Sequence, residues 1–303
     1  MVPSDYQPTE RFSGLAGLYS QYRPAYPAVA LDFVMSRCNL SNQSILVDVG
    51  CGTGISSRLF AARGVRVIGI EPNADMRRQA ETESHAFATG WVAGVARPES
   101  SKGVDTLQSL HALRKALGRA TQGADPPSMP PRLTAPSYQS GRAEATGLPE
   151  ASADAVLAAQ AFHWFEPEAA LREFHRILKL DGWVILLWNQ RDESDPFMRA
   201  YGAGVRRLTN AEVFEPYHGK GDALLTSPLF EDGERASFAN EQILDETSLM
   251  GRAFSASYAP REDVAVKRYA DELRRVFRRF QKDGRVTMRY ESSVFLARRR
   301  STK

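Results

Sequence analysis

The spacing of apolar positions along the chain changes period several times, and the changes mark elements. Ile45-Leu46-Val47-Asp48-Val49 is a short apolar run that ends in glycines, the pattern of a buried parallel strand. Residues 55–63 then read as a helix that stops at Gly64, and residues 65–70 as a second strand. Asn73 is placed to cap a following helix that runs to about Glu83. Further on, residues 154–159 read as a strand. A helix over 167–180 follows, with Leu171, Phe174, Ile177 and Leu178 inward, then a turn at Asp181-Gly182 and a strand over 183–188. This strand–helix alternation is the signature of a doubly wound sheet. Ahead of it, a helix over 28–38 turns Val29, Phe33 and Val34 inward. Behind it come mixed helices and polar loops over 192–235 and a short strand over 237–244. A long helix over 261–282 carries Val266, Tyr269, Leu273, Val276 and Phe280 at helical spacing, and an alternating, antiparallel last strand covers 285–296.

The alternation breaks between about residues 84 and 137, where Pro98, Pro126, Pro127, Pro130, Pro131 and Pro136 fall. Such a stretch is long for a loop in a compact domain and reads as an insertion, partly disordered. It carries a short amphipathic helix over 104–120, with Leu110, Leu113 and Leu117 on one side. A substrate lid, a partner-binding arm and an unremoved intron all fit it. Residues 1–10 read as a loose polar tail, with no apolar core like that of a signal peptide. One domain over 1–303 is expected.

Composition adds exclusions. Of 303 residues, 43% are hydrophobic and 25% charged, with a net charge of +3, which is ordinary for a globular chain. No run approaches the length of a spanning helix, so a cytoplasmic protein with no membrane contact is expected. Cys38 and Cys51 are the only cysteines, too few for a disulfide framework or zinc cluster. The histidines His85, His111 and His218 show no ligand spacing, and no metal is expected. Arg274, Arg275, Arg278 and Arg279 are interspersed with acids, which reads as a solvated helix face; no nucleic-acid contact is expected.

The chemistry lies in Val47-Asp48-Val49-Gly50-Cys51-Gly52-Thr53-Gly54. A glycine turn between strand and helix lets a ligand approach the backbone at the carboxyl ends of parallel strands. Dinucleotides and S-adenosylmethionine both use it, and the glycine frame separates them. The dinucleotide fingerprint G-x-G-x-x-G would need glycine at 55 or 57, where Ile55 and Ser57 stand. The frame present is D-x-G-x-G-x-G. Glu71, just after the second strand, can accept both ribose hydroxyls of an adenosine, a role common to both ligands. Cys51 needs only to be small. His163, after the fourth strand, is the best-placed general base for an acceptor that needs one, and a purely structural role for it stays open. Trp164 and Phe165 read as pocket wall or core, and His175 as structural.

The chain resembles class I S-adenosylmethionine-dependent methyltransferases, in particular the methyltransferase type 11 and trans-aconitate methyltransferase-like group. The matching segments are Tyr19-Ser20-Gln21-Tyr22-Arg23-Pro24-Ala25-Tyr26-Pro27, the glycine loop, residues 69–76, residues 141–149, Ala159-Gln160-Ala161-Phe162-His163-Trp164-Phe165, and residues 176–182. The resemblance implies a Rossmann-like α/β fold, a seven-strand mostly parallel sheet with helices on both faces and an antiparallel last strand. It also implies roles. Gly50, Cys51 and Gly52 would touch the methionine moiety, Glu71 the ribose and Met76 the adenine. Ala143 and Glu144 would meet the adenine edge, and Gln160 and Ala161 would lie near the sulfonium. Tyr19 and Arg23 would close over the site, Arg23 being available for a carboxylate. The third strand is either residues 91–95 or residues 137–141. The expected function is methyl transfer from S-adenosylmethionine to a small-molecule acceptor, an organic acid carboxylate among the candidates. A non-catalytic S-adenosylmethionine-binding protein with a partner-binding insertion and an NAD-dependent oxidoreductase are the alternatives. Oligomeric state is open.

Overall fold

A computed structural model describes residues 14–92, 134–209 and 220–300. Its centre is one seven-stranded sheet in the order β3-β2-β1-β4-β5-β7-β6. The strands are β1 (Ile45–Val49), β2 (Arg66–Ile70), β3 (Ser137–Gln139), β4 (Ala153–Ala159), β5 (Leu178–Arg191), β6 (Phe230–Leu244) and β7 (Val286–Arg299). The pairs joining β1 to β2, β2 to β3, β1 to β4 and β4 to β5 are parallel. β7 lies antiparallel between β5 and β6. The chain winds outward from β1 through β2 to β3, then returns to place β4 on the other side of β1. That reversal opens a crevice at the carboxyl ends of β1 and β4.

Period-two alternation sorts the strand residues between two faces. Val47, Val49, Val156, Ala158, Val184 and Leu186 pack with Phe174 and Ile177 of the helix Pro167–Ile177. Leu46, Ala155, Leu157, Ile185 and Leu187 pack on the other side with Leu31 and Val34 of Ala28–Arg37 and Phe60 of Ile55–Ala61. A third cluster lies apart from both. The helices Pro196–Leu208, Glu246–Phe254 and Asp263–Phe280 bury Phe197, Met198, Tyr201, Leu249, Tyr269, Leu273 and Val276 against the ends of β6 and β7.

In chain order the helices are α1 (Ala16–Tyr22), α2 (Ala28–Arg37), α3 (Ile55–Ala61), α4 (Ala74–Val92), α5 (Pro167–Ile177), α6 (Pro196–Leu208), α7 (Asp222–Leu225), α8 (Glu246–Phe254) and α9 (Asp263–Phe280). Asn73 Oδ1 accepts from the backbone N–H of Asp75 and of Met76, both at 3.0 Å, which caps α4 as expected. Several expectations change. α4 continues nine residues beyond Glu83 to Val92, so the alternation breaks later than residue 84. Trp91 therefore sits on that helix, and the third strand is Ser137–Gln139, with Tyr138 beside Gly69. Val29 is 60% exposed, while Ala30, Leu31 and Val34 face the core, because the stripe is rotated by one residue. The helix read over 167–180 ends at Ile177, and Leu178 already pairs with Ala153. Residues 179–182 bulge out before Trp183 pairs with Ala155, with Asp181 at φ 62° making the turn. The amphipathic helix read over 104–120, like the tail over 1–10, lies outside the described residues. Among the described residues no helix is long and apolar enough to cross a membrane.

Candidate functional site

The floor of the crevice is made by backbone. Gly50, Gly52 and Gly54 all have positive φ, at 67°, 56° and 74°, so three left-handed turns follow one another. A methyl group on Gly50 would stand 2.7 Å from Ala161 Cβ and 3.0 Å from the Phe165 ring. One on Gly54, the residue before α3, would stand 2.3 Å from the Tyr138 hydroxyl. At Gly52 nothing lies within 4 Å of where a Cβ would be, so the bare backbone faces open space. That is the surface a ligand pressed against the loop requires.

Asp48 secures the loop from below. It is fully buried, and its Oδ2 accepts from Ser56 Oγ at 2.7 Å and Ser57 Oγ at 2.6 Å. Burial pushes its carboxyl up to about 6, against the pull of the two hydroxyls. Glu71 ties β2 to the loop: Oε2 accepts from Gly52 N–H and Oε1 from Asn73 N–H, each at 2.9 Å. Burial raises the Glu71 carboxyl above its ordinary value, partly offset by these bonds and by Arg77. Each carboxylate oxygen keeps a second lone-pair direction for a hydroxyl. Burial holds the Cys51 thiol well above its usual range, so it stays a small neutral side chain.

One wall comes from residues 141–149. Glu173 clamps this turn by accepting from Thr146 N–H and Oγ1 and from Arg176. Glu144 accepts from the Glu166 N–H at 3.0 Å and stands 3.6 Å from Arg142. The opposite wall follows β4. Gln160, at φ 54°, donates from its N–H to Leu187 O and from Nε2 to Asn189 O.

The cover is built by side chains from distant segments. Arg23 donates from Nη2 to Ser255 O at 3.2 Å and lies 4.6 Å from the centre of the Tyr19 ring. Gln242 donates to Tyr22 O, and Asn189 and Asn240 both donate to Ala25 O. Gly251 of α8 lies against the Tyr22 ring so closely that a methyl group there would fall 2.3 Å from it.

The resulting cleft has an empty volume, open mouth included, of about 1180 Å³. Tyr19, Arg23, Gly50, Cys51, Gly52, Glu71, Met76, Ala143, Glu144, Gln160 and Ala161 all line it. Trp164 and Phe165 form part of its wall, as their apolar character suggested. His163 is the exception: it is not among the lining residues. It sits in a 3-10 turn, Phe162–Trp164, and its Nδ1 accepts from Trp188 Nε1 at 3.4 Å. Burial, with Lys220 and Arg23 as smaller effects, drives its pKa down to about 3. The ring is neutral at pH 7 and stands outside the lining, which favours the structural role left open for it over that of general base. Arg252 of α8, which the sequence did not single out, lines the cleft and is 7% exposed. The signal was available: it falls on the buried stripe between Leu249 and Ala253, where an arginine is out of place.

The model of a family described as "Methyltransferase domain" matches residues 47–114 and 87–186. An uncharacterized methyltransferase-like protein of Schizosaccharomyces pombe is 24% identical over 298 residues, covering 94% of this chain and 94% of that protein. A malonyl-(acyl-carrier protein) O-methyltransferase of Laribacter hongkongensis is 26% identical over 165 residues, covering 52% of this chain and 54% of that protein. The crystal structure of the YcgJ protein of Bacillus subtilis has the same fold, with TM-score 0.50 at 15% identity, covering 91% of this chain and 100% of that one. These matches make the chain similar to methyltransferases over the segment that carries the glycine frame and Glu71.

Proposed function

We propose that this chain transfers a methyl group from S-adenosylmethionine to a small organic acid, forming the bond at a carboxylate oxygen. The observation that carries this reading is the cover: it sets Arg23 and Arg252 in the lining of the cleft. Guanidinium groups favour a carboxylate. The relative named as an O-methyltransferase supports oxygen as the acceptor atom.

Bound S-adenosylmethionine supplies a methyl group already activated on a sulfonium. The residues of this chain then have three tasks. Gly50, Gly52 and Ala161 shape the floor so that the reacting carbon faces the acceptor. Glu71 holds the ribose, while Met76, Ala143 and Glu144 surround the adenine. Tyr19 and Arg23 cover the site and exclude water, so that the acceptor oxygen can stand within about 3–3.5 Å of the methyl carbon. A carboxylate is ionised at neutral pH and needs no base, which agrees with a His163 ring too weakly basic to serve.

The test is a screen of small organic acids with isotopically labelled S-adenosylmethionine, read by mass spectrometry for the gain of one methyl group. Labelled methyl esters are the expected product. Transfer confined to amines or carbon acids would overturn the carboxylate reading, and binding of NAD in place of S-adenosylmethionine would overturn the whole proposal.

A further inference from the structure

Two guanidinium groups face the cleft with no carboxylate beside them among the described residues. Arg252 is the more buried, and its Nε and Nη1 are both shielded from solvent with no hydrogen-bond partner. The titratable groups facing it are the phenols of Tyr201, Tyr258 and Tyr290, the last within hydrogen-bond reach. A phenol hydroxyl supplies a hydrogen-bonding group and no carboxylate. Arg23 also leaves Nε buried and unpartnered, but it has the Ser255 carbonyl and the face of Tyr19 to compensate it. The remaining arginine of the lining, Arg142, already stands beside Glu144.

A buried cation without a counter-charge is unfavourable, and an anion entering the cleft relieves it. S-adenosylmethionine carries a single carboxylate, while two guanidiniums with no carboxylate beside them line one cleft. The methyl acceptor is the other ligand that can bring a negative group. We propose that Arg252 is the specificity-determining anchor for an anionic group of the methyl acceptor, a carboxylate gripped by its planar fork, which leaves the cofactor's own carboxylate to Arg23. This rests on the methyltransferase reading above and narrows it: neutral and cationic acceptors are rejected because they would leave Arg252 buried and unpaired.

The experiment titrates succinate, octanoate and phenylacetate, each beside its primary amide, into the wild-type protein saturated with S-adenosylhomocysteine. The expected result is that at least one acid binds at least about tenfold more tightly than its amide, and that Arg252→Met abolishes this preference while leaving S-adenosylhomocysteine affinity within about threefold. Arg252→Lys keeps part of the preference, since it keeps the charge and loses the fork. Without ligand, Arg252→Met melts at the same temperature as wild type or higher, because it removes an uncompensated buried charge; a merely structural arginine would give the opposite. Should Arg252→Met fail to fold, Arg252→Lys and the acid–amide comparison on wild type still decide. The proposal is overturned if no acid binds the wild-type complex, if acids and amides bind alike, or if Arg252→Met weakens S-adenosylhomocysteine instead. Failure of wild type to bind S-adenosylhomocysteine at all is a separate outcome, which removes the methyltransferase reading and this one with it.

Discussion

The floor and the cover of the cleft are held together over very different distances along the chain. In the floor, Glu71 reaches Gly52 across 19 positions and Asn73 across two. In the cover, Arg23 reaches Ser255 across 232 positions and Gln242 reaches Tyr22 across 220. The floor is backbone shaped by three left-handed glycines, and it is complete once β1 and β2 pair. The cover exists only where α8 lies against α1. A backbone floor of this kind can be written in a short motif, while the contacts of the cover depend on how the outer helices pack.

The largest test of this contrast is Glu71→Ala. It removes the ties to Gly52 and Asn73 and, on the proposed reading, two charge-assisted acceptors for the ribose, so S-adenosylmethionine affinity is expected to fall by about 3 kcal/mol, on the order of 100-fold. Calorimetric titration measures it, and a loss below about threefold would take Glu71 out of the site. Next comes Asp48→Asn, read by urea midpoints from pH 4 to 7. The folded-state pKa of Asp48 lies at about 6, above its ordinary 3.8. The native state therefore holds a proton that the unfolded chain has released. The contribution of this residue to stability is complete below pH 3.8 and is lost as pH rises through about 6. The asparagine variant lacks that decline, a difference of ~2 kcal/mol across the window; parallel wild-type and variant curves would show that Asp48 does not titrate there.

Gly251→Ala tests the cover alone. Its methyl group would collide with the Tyr22 ring, and α1 must move away from α8. Methyl-transfer efficiency should drop about tenfold, with a stability loss of only about 1 kcal/mol. If transfer is untouched, the α1–α8 contact does not govern closure. The smallest effect is expected at His163. A general base lost there would lower the rate at least about 100-fold, whereas His163→Gln should change kcat/KM by no more than about threefold and leave the pH profile near 6.5 unaltered.

The floor was legible because its signals are local. Strand, glycine turn and helix follow one another in sequence, and the glycine positions carry their own backbone requirement. The same locality made the capping by Asn73 readable. Where the reading slipped, the information was not local. Residues 91–95 and 137–141 were equally acceptable as a third strand, and only pairing with Ile68 to Ile70 separates them. Val29 is as apolar as Leu31, and the direction in which β1 and β4 lie decides which of them is buried. His163 follows β4 at a position suited to catalysis, yet the indole of Trp188 and the packing around its ring take it out of the cleft.

Neighbouring residues alone dictate a doubly wound sheet, a glycine frame that suits S-adenosylmethionine better than a dinucleotide, and an acidic residue just after the second strand. These follow from φ angles, strand ends and helix starts, which neighbouring residues dictate. Only the tertiary structure decided which arginines share the cleft with that frame. Arg23 and Arg252 lie 229 positions apart and carry no common motif. They come to one cleft because α1 packs against α8, with Gly251 fitted closely to the Tyr22 ring. A buried charge has chemical meaning only through what surrounds it, and that is fixed when the chain closes on itself.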